Sequence, residues 1–341
     1  MDRREMMTAV AATAGTAFLP QISAARDRSK EGIQFDYEAI VVGGGPAGLS
    51  AALVLGRCCR KVLVCDAGEH RNRTSPSVHS FFSRDGISPS ELLKIGRDQL
   101  KPYDVAFHQC RIVSARQLDK GFQVRADSGK SFTASKLILA TGVKDDLPHI
   151  NGLAELWGAG VYHCPYCHGW EVRGKPWAYM ADQKLAVEWG IELKGWTDSL
   201  TYCSGGSSSL TNAERERLRQ HGIGIREQAI ERVTGEGGKI RGIDFSDGGV
   251  LDVDAFFIRA PMIPRSSLAK QLGCKLVFVP GVFSDTAETD PYGATSVAGV
   301  YVVGDASVGA PQVATAVTDG AMAAIMLNKS LFQEAPAHSS K

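Results

Sequence analysis

The chain reads YEAIVVGGGPAGLSAALVLGR from residue 37 to residue 57 and KVLVCD from residue 61 to residue 66. The apolar run before the glycines predicts a buried strand, and the run after them predicts a helix that continues to Arg60. The next apolar run predicts a second strand. Strand, glycine-rich turn, helix and strand together form the starting unit of a parallel α/β sheet.

The glycines of this turn have separable physical roles. Gly43 permits the tight turn, Gly45 lets the backbone approach a pyrophosphate, and Gly48 allows close packing of the helix on the sheet. The helix N-terminus faces the negative charge of such a ligand. Asp66 lies 21 residues beyond Gly45, where an acidic side chain accepts from an adenosine ribose hydroxyl. The turn therefore predicts a dinucleotide site made by Gly43, Gly45, Pro46, Ala47, Gly48 and Asp66, the alternative being a glycine-rich turn without a ligand.

Composition and net charge limit the classes of partner that the protein is expected to bind. Of 341 residues, 44% are hydrophobic and 22% charged, which is ordinary for a globular enzyme long enough to form two domains. Lys and Arg total 38 against 37 Asp and Glu, so no net charge attracts nucleic acid or an anionic membrane. A small-molecule or protein-thiol partner is the expectation.

Residues 1–25 have the features of an export signal. Arg3 and Arg4 precede a weakly hydrophobic run that is too short to span a bilayer, and Ser23 and Ala25 suit a cleavage site. The paired arginines resemble a twin-arginine signal, although two methionines replace the usual Phe-Leu. The segment predicts a periplasmic protein that folds before export. The alternative is a disordered tail on a cytoplasmic protein.

A single pair among the eight cysteines has motif spacing, in the segment CPYCH at residues 164–168. Two thiols separated by two residues can form an easily reduced disulfide between Cys164 and Cys167. The same letters match the attachment signal for a c-type haem, with His168 as the iron ligand, or half of a zinc site. The rest of the chain has to decide between these chemistries.

Two later segments, residues 137–142 and 300–305, each read as a buried strand that stops at a glycine. With the first turn, they resemble the flavin-binding domain of disulfide reductases that have two dinucleotide-binding domains. The resemblance implies that Asp305 holds the ribitol of FAD, and that the helix predicted over 312–331 starts at the flavin pyrimidine ring. The further FAD-binding residues that it implies are Thr141, Gly142, Gly304, Asp305, Gln312 and Val313.

The position of the CxxC motif in the middle of the chain resembles that of the low-molecular-weight thioredoxin reductases. The resemblance implies an α/β fold with two Rossmann-like domains and a homodimer. The FAD-binding domain is discontinuous, over residues 36–151 and 285–333. A second NAD(P)-binding-like domain, residues 152–284, is inserted and carries the CxxC motif, and residues 334–341 form a tail.

The inserted domain lacks the glycine fingerprint that holds the pyrophosphate of NADPH in those reductases. No glycine occurs between Lys175 and Gly190, and Ala181 and Gln183 place side chains where backbone and phosphate must nearly touch. Asp182 adds repulsion, and no basic residue follows the next strand before Arg215. NAD(P)H binding is therefore predicted to be lost or weakened. The alternative is a displaced phosphate loop at residues 205–207.

A flavin that NADPH cannot reduce must receive electrons from the dithiol. The thioredoxin reductase resemblance implies that Cys167 is the thiol next to the flavin, that Cys164 exchanges with substrate, and that His168 handles the proton. A neighbouring imidazolium would lower the pKa of the thiols. His163 is a second candidate for this role beside His168.

The CPYCHG sequence, with His79 and the segment 84–86, resembles the branch that forms disulfides in dithiol natural products such as gliotoxin and holomycin. The function implied is an FAD-dependent dithiol oxidase with O2 as acceptor and no metal. The alternatives are an NAD(P)H-dependent disulfide reductase and, more remotely, a c-type haem electron carrier.

Overall fold

The structure, a computed structural model, describes residues 35–206, 210–279, 283–307 and 309–334. The predicted export signal, residues 1–25, and residues 335–341 of the predicted tail lie outside this part. The helices are α1 Pro46–Arg57, α2 Pro89–Asp98, α3 Pro165–Val172, α4 Gln183–Leu193, α5 Asn212–Gln220, α6 Leu268–Gln271 and α7 Val313–Glu334. No helix in the described ranges is long and apolar enough to cross a membrane.

The strands belong to four sheets. They are β1 Tyr37–Val42, β2 Val62–Asp66, β3 Val105–Gln109, β4 Ile112–Gln117, β5 Phe122–Ala126, β6 Ser131–Leu139, β7 Val143–Asp145, β8 Val161–Tyr162, β9 Trp177–Met180, β10 Leu200–Cys203, β11 Ile223–Arg226, β12 Ile230–Glu236, β13 Lys239–Phe245, β14 Val250–Asp252, β15 Ala255–Ile258, β16 Met262–Pro264, β17 Leu276–Val279, β18 Phe283–Ala287 and β19 Val300–Val302.

The first sheet is built around β1, which is buried on both faces. Its strand order is β3-β2-β1-β6-β5-β4, and β19 also pairs with β6. Alternate side chains of β1 point to opposite faces: Ala39 and Val41 join the core with α1 and α7, and Ile40 joins the core on the other side. Strands β1, β2, β3, β6 and β19 are parallel, so their carboxyl ends meet at one edge. That edge is where α/β sheets bind ligands.

The second domain contains a five-stranded parallel sheet of order β11-β10-β9-β15-β8. An antiparallel sheet of order β12-β13-β14 accompanies it. Trp177, Tyr179 and Phe257 fill the core between the parallel sheet and its helices. The predicted α/β fold class is confirmed.

Segments that precede the predicted boundary at residue 284 also contact elements of the first domain. Leu268 and Leu272 pack in the same core as Ile40 and Leu137, and β16 pairs with β7. An apolar pattern indicates that a segment is buried but not which sheet it packs on, so these contacts of α6 and β16 could not be predicted from the sequence.

Candidate active site

One cavity of about 480 Å³ connects the carboxyl edge of the first sheet with the CxxC motif of the second domain. Its volume is within the usual range for a bound small molecule. Most of the residues predicted from the sequence line it: Gly43, Gly45, Pro46, Ala47, Asp66, Thr141, Gly142, His163, Cys164, Cys167, His168, Gly304, Asp305, Gln312 and Val313. The exception is Gly48, which lies behind the turn.

The glycine turn leaves room for a ligand at one position. Gly43 has a φ of 110°, and a Cβ there would lie 2.2 Å from the carbonyl oxygen of Ala140. A Cβ on Gly48 would lie 1.9 Å from the carbonyl oxygen of Gly43, so this glycine permits helix packing. A Cβ on Gly45, in contrast, would meet no atom of the described residues within 4 Å. The turn thus presents bare backbone to open space, which fits the pyrophosphate of FAD.

Two acidic side chains of the cavity, Asp66 and Asp305, could accept hydrogen bonds from hydroxyls of a bound FAD. Asp66 accepts a hydrogen bond from the backbone N–H of Gly44 at 3.0 Å. Asp305 accepts from Arg71 at 3.1 Å, and Arg71 also donates to Asp145 at 3.0 Å. Burial raises the pKa of Asp305, and the nearby Arg71 guanidinium opposes that rise. Arg71 therefore helps to keep an anionic acceptor in the cavity.

Helix α7 begins at the cavity, and a backbone hydrogen bond closes its first turn. Gln312 and Val313 line the cavity, and the carbonyl oxygen of Gln312 accepts from the N–H of Ala316 at 2.9 Å. The positive end of the helix dipole therefore faces the cavity. Reduced flavin carries negative charge, so this end suits it.

The two cysteines of the motif form a disulfide at the start of α3. Cys164 is the N-cap residue, Pro165 is the first helical residue, and the Cα atoms of Cys164 and Cys167 are 5.3 Å apart. The helix N-terminus lowers the pKa of a thiol released there. A covalent haem would require both sulfurs to be free for thioether bonds, which the pairing opposes. In the described ranges, no group of three or more His, Cys, Asp or Glu side chains is arranged to hold a metal ion.

Both histidines of the site are neutral in this disulfide state. Burial lowers the pKa of His163 to about 4, with a smaller contribution from Arg71. Burial, together with nearby His79, lowers the pKa of His168 to about 4. The expectation that an imidazolium activates the thiols therefore differs from the structure, because exposure was not readable from the sequence. The start of α3 remains as the source of thiolate stabilisation.

We expect the buried histidines to make the protein sensitive to acid. Unfolded histidine has a pKa near 6.5, so between about pH 6.5 and 4 the unfolded chain binds protons that the folded chain does not. Stability should fall as the pH is lowered through this window, by up to about 1.4 kcal/mol per pH unit for each histidine. Urea unfolding at pH 7, 6 and 5 measures the slope. The His163→Asn/His168→Asn variant should have a flatter slope, and an unchanged slope would refute this explanation.

A side chain of the second domain caps the helix that follows its central strand. Asp182 is the N-cap residue of α4, and its carboxylate accepts from the backbone N–H of Lys184 at 3.0 Å. Strand β9, which precedes α4, is the central strand of the parallel sheet. A nucleotide-binding loop would follow this strand. An anion that belongs to the chain thus occupies the helix N-terminus, and a pyrophosphate there would meet like charge.

Comparison with known proteins agrees with this architecture. A family model described as pyridine nucleotide-disulphide oxidoreductase matches residues 37–188 and 198–320. The chain belongs to the pyridine nucleotide-disulphide oxidoreductase family. As a member of this family, it is a thioredoxin-reductase-like enzyme that acts on sulfur groups, and the family implies FAD and NAD(P)H as cofactors. The resemblance to thioredoxin reductases that the sequence indicated is confirmed.

Individual proteins are similar to this chain over more than four fifths of its length. Thioredoxin reductase tcpT of Claviceps purpurea is 32% identical over 309 residues, which are 87% of this chain and 95% of that protein. The crystal structure of HlmI is 32% identical with a TM-score of 0.82, over 89% of this chain and 95% of that one. An oxidoreductase from Agrobacterium tumefaciens is 33% identical with a TM-score of 0.82, over 87% and 99%.

Sequence reasoning missed several residues of the site. Arg71 and Ser75 lie in the segment between β2 and α2, which has no helical or strand periodicity. Asp145 follows the predicted glycine of residue 142 but carries no motif. Tyr162 stacks on the His168 ring with centroids 4.6 Å apart. For Arg71, the only signal in the sequence was a basic residue shortly after Asp66. That signal did not indicate which side chains Arg71 contacts.

Proposed function

We propose that the protein oxidises a substrate dithiol to a disulfide through Cys164 and Cys167, with FAD as cofactor and O2 as final acceptor. The observation that carries the proposal is the Asp182 cap on α4, because it opposes binding of NAD(P)H in the second domain. The cavity that joins the glycine turn to the disulfide supports electron delivery from the thiol side.

The reaction divides into two exchanges that balance. A substrate thiolate attacks Cys164, a mixed disulfide forms, and Cys167 leaves as a thiolate that the start of α3 stabilises. The second substrate thiol then displaces Cys164, so the substrate gains one disulfide and the protein holds two thiols. The chemistry that FAD supplies when bound is a two-electron transfer from this dithiol to O2. Overall, one dithiol and one O2 give one disulfide and one H2O2.

The cofactor proposal assigns specific groups to FAD. Gly45 would accommodate the pyrophosphate, Asp66 the adenosine ribose, and Asp305 the ribitol. The first turn of α7 would lie at the pyrimidine ring. The bare backbone at Gly45 and the Arg71 contact to Asp305 support this assignment.

Flavin reduction and O2 uptake test the proposed direction. With FAD-loaded enzyme, dithiothreitol or another dithiol should drive O2 consumption and form one H2O2 for each O2 consumed. Under anaerobic stopped-flow conditions, NADPH and NADH should bleach the flavin absorbance far more slowly than the dithiol. Rapid bleaching by NADPH together with no dithiol-driven O2 uptake would reverse the assignment.

The second candidate is an NAD(P)H-dependent disulfide reductase. It is favoured by relatives that are named thioredoxin reductases and by two glycines, Gly205 and Gly206, that follow β10 with positive φ angles. The same stopped-flow comparison separates the two directions.

Export by the twin-arginine-type signal and the homodimer stay predictions, to be checked by cell fractionation and by light scattering.

A further inference from the structure

The hydroxyl of Ser75 contacts two groups, and its single hydrogen can serve only one of them. The Oγ atom is 2.8 Å from the backbone carbonyl oxygen of Ser77 and 3.0 Å from Nε2 of His168. A carbonyl oxygen can only accept, so the hydroxyl donates to Ser77. Ser75 Oγ must then accept from His168, and Nε2 carries the proton.

The other ring nitrogen of His168 is left as a proton acceptor. Nδ1 is buried, and among the residues that the structure describes it has no hydrogen-bond partner. Because the imidazole is neutral, with the proton on Nε2, Nδ1 keeps a free lone pair. A proton on Nδ1 would instead be a buried donor without an acceptor, which is unfavourable.

The neighbours of His168 hold the ring and leave this arrangement intact. Tyr162 stacks on one face with the planes 16° apart, and His79 approaches edge-on with centroids 6.4 Å apart. The carboxylates of Asp85 and Glu171 each lie 3.6 Å from a nitrogen of His79, so these two carboxylates pair with His79. His168 lines the same cavity as Cys164 and Cys167.

We propose that Ser75 is a positioning residue that fixes His168 as the Nε2–H tautomer, so that Nδ1 accepts the proton of the incoming substrate thiol. This inference rests on the proposed dithiol oxidation. The substrate S–H bond breaks and its proton moves to Nδ1. A bond forms between the substrate sulfur and Cys164 while the Cys164–Cys167 bond breaks, and its electron pair remains on Cys167.

The proton transfer is coupled to the charge that the exchange creates. Before the attack, burial disfavours a charged His168. The thiolate left on Cys167, which lines the same cavity as His168, then lowers that cost because an anion in the cavity favours the protonated ring. Proton acceptance and disulfide cleavage therefore assist one another.

The tautomer can be measured directly on the FAD-loaded enzyme. Long-range 15N–1H spectra of histidine-labelled protein, with His168 assigned by its loss in His168→Gln, should show Nε2–H in the wild type. Nδ1–H would overturn the inference. The Ser80→Ala variant removes a hydroxyl that bonds from the same segment to the backbone of α3, and it should leave the tautomer unchanged.

Kinetics of anaerobic flavin reduction by dithiothreitol test the role of Ser75. Ser75→Ala should slow reduction about 10-fold near neutral pH and less at high pH, where substrate thiolate forms without a base. Ser75→Thr, which keeps the hydroxyl, should restore most of the rate. An equal loss at every pH would indicate a structural role and refute the proposal.

A double-mutant comparison adds a second criterion. Ser75→Ala combined with His168→Gln should be no slower than His168→Gln alone, because both changes remove one function. Additive losses would contradict the proposal. Failure of the proposed function would be visible separately, as a wild-type enzyme that dithiols do not reduce.

Discussion

Replacing Cys164 or Cys167 by serine should lower dithiol-driven O2 consumption by about three orders of magnitude or more, because each sulfur is required to form and resolve the mixed disulfide. The two cysteines are paired at the start of α3 and line the cavity. An O2 electrode with FAD-loaded variants measures the effect. Thiol titration of the denatured wild type should also rise by two thiols per chain after anaerobic reduction.

The Cys59→Ser variant is the matched control for this experiment. Cys59 is a free and exposed cysteine that does not line the cavity. Its replacement should leave the rate unchanged, which shows that the loss in the other variants is not a general effect of removing a thiol. If Cys164→Ser retained the wild-type rate, the dithiol would reach the flavin without the disulfide, and the proposed exchange would be wrong.

Changing Gly45 to alanine should weaken FAD binding about 100-fold, or about 2.7 kcal/mol, without unfolding the chain. The backbone of Gly45 has a φ of −75°, which any residue adopts, and the added methyl group would meet no atom within 4 Å in the part of the chain that the structure describes. It would instead stand in the space assigned to the pyrophosphate. FAD titration measures the affinity, and the melting temperature of the FAD-free protein should stay unchanged.

The Gly48→Ala variant distinguishes a ligand effect from a packing effect. Its methyl group would lie 1.9 Å from the carbonyl oxygen of Gly43, so the backbone of α1 would have to move. Overpacking of this kind costs about 1–3 kcal/mol or more, and the FAD-free protein should melt at a lower temperature. Unchanged FAD affinity in Gly45→Ala would show that the cofactor does not lie on this turn.

The sequence predicted those parts of the site that depend on the backbone of a short segment. Gly43 and Gly48 meet steric requirements set within the turn and its neighbouring strands, so they could be recognised without coordinates. The Arg71 contacts could not, because Asp145 and Asp305 lie 74 and 234 residues away along the chain. The segment that carries Arg71 has no period from which its direction could be inferred.

The protonation states of the histidines were hidden for a related reason. The pKa of His168 depends on burial beside Tyr162 and His79, which belong to other segments of the chain. The second domain shows the same limit: the sequence identified Asp182 as a repulsive charge, but its hydrogen bond to the start of α4 emerges only when the helix is placed.

Under the proposed function, the Asp182 cap would also act as a tethered competitor of the nucleotide. A free nucleotide would have to displace a carboxylate that cannot diffuse away and whose effective concentration is set by the chain itself. Raising the cellular NADPH concentration would then do little to load the domain. Under the proposed function, the redox state of the enzyme would depend on the ratio of dithiol to disulfide and on the O2 concentration around it. It would not depend on the concentration of NAD(P)H.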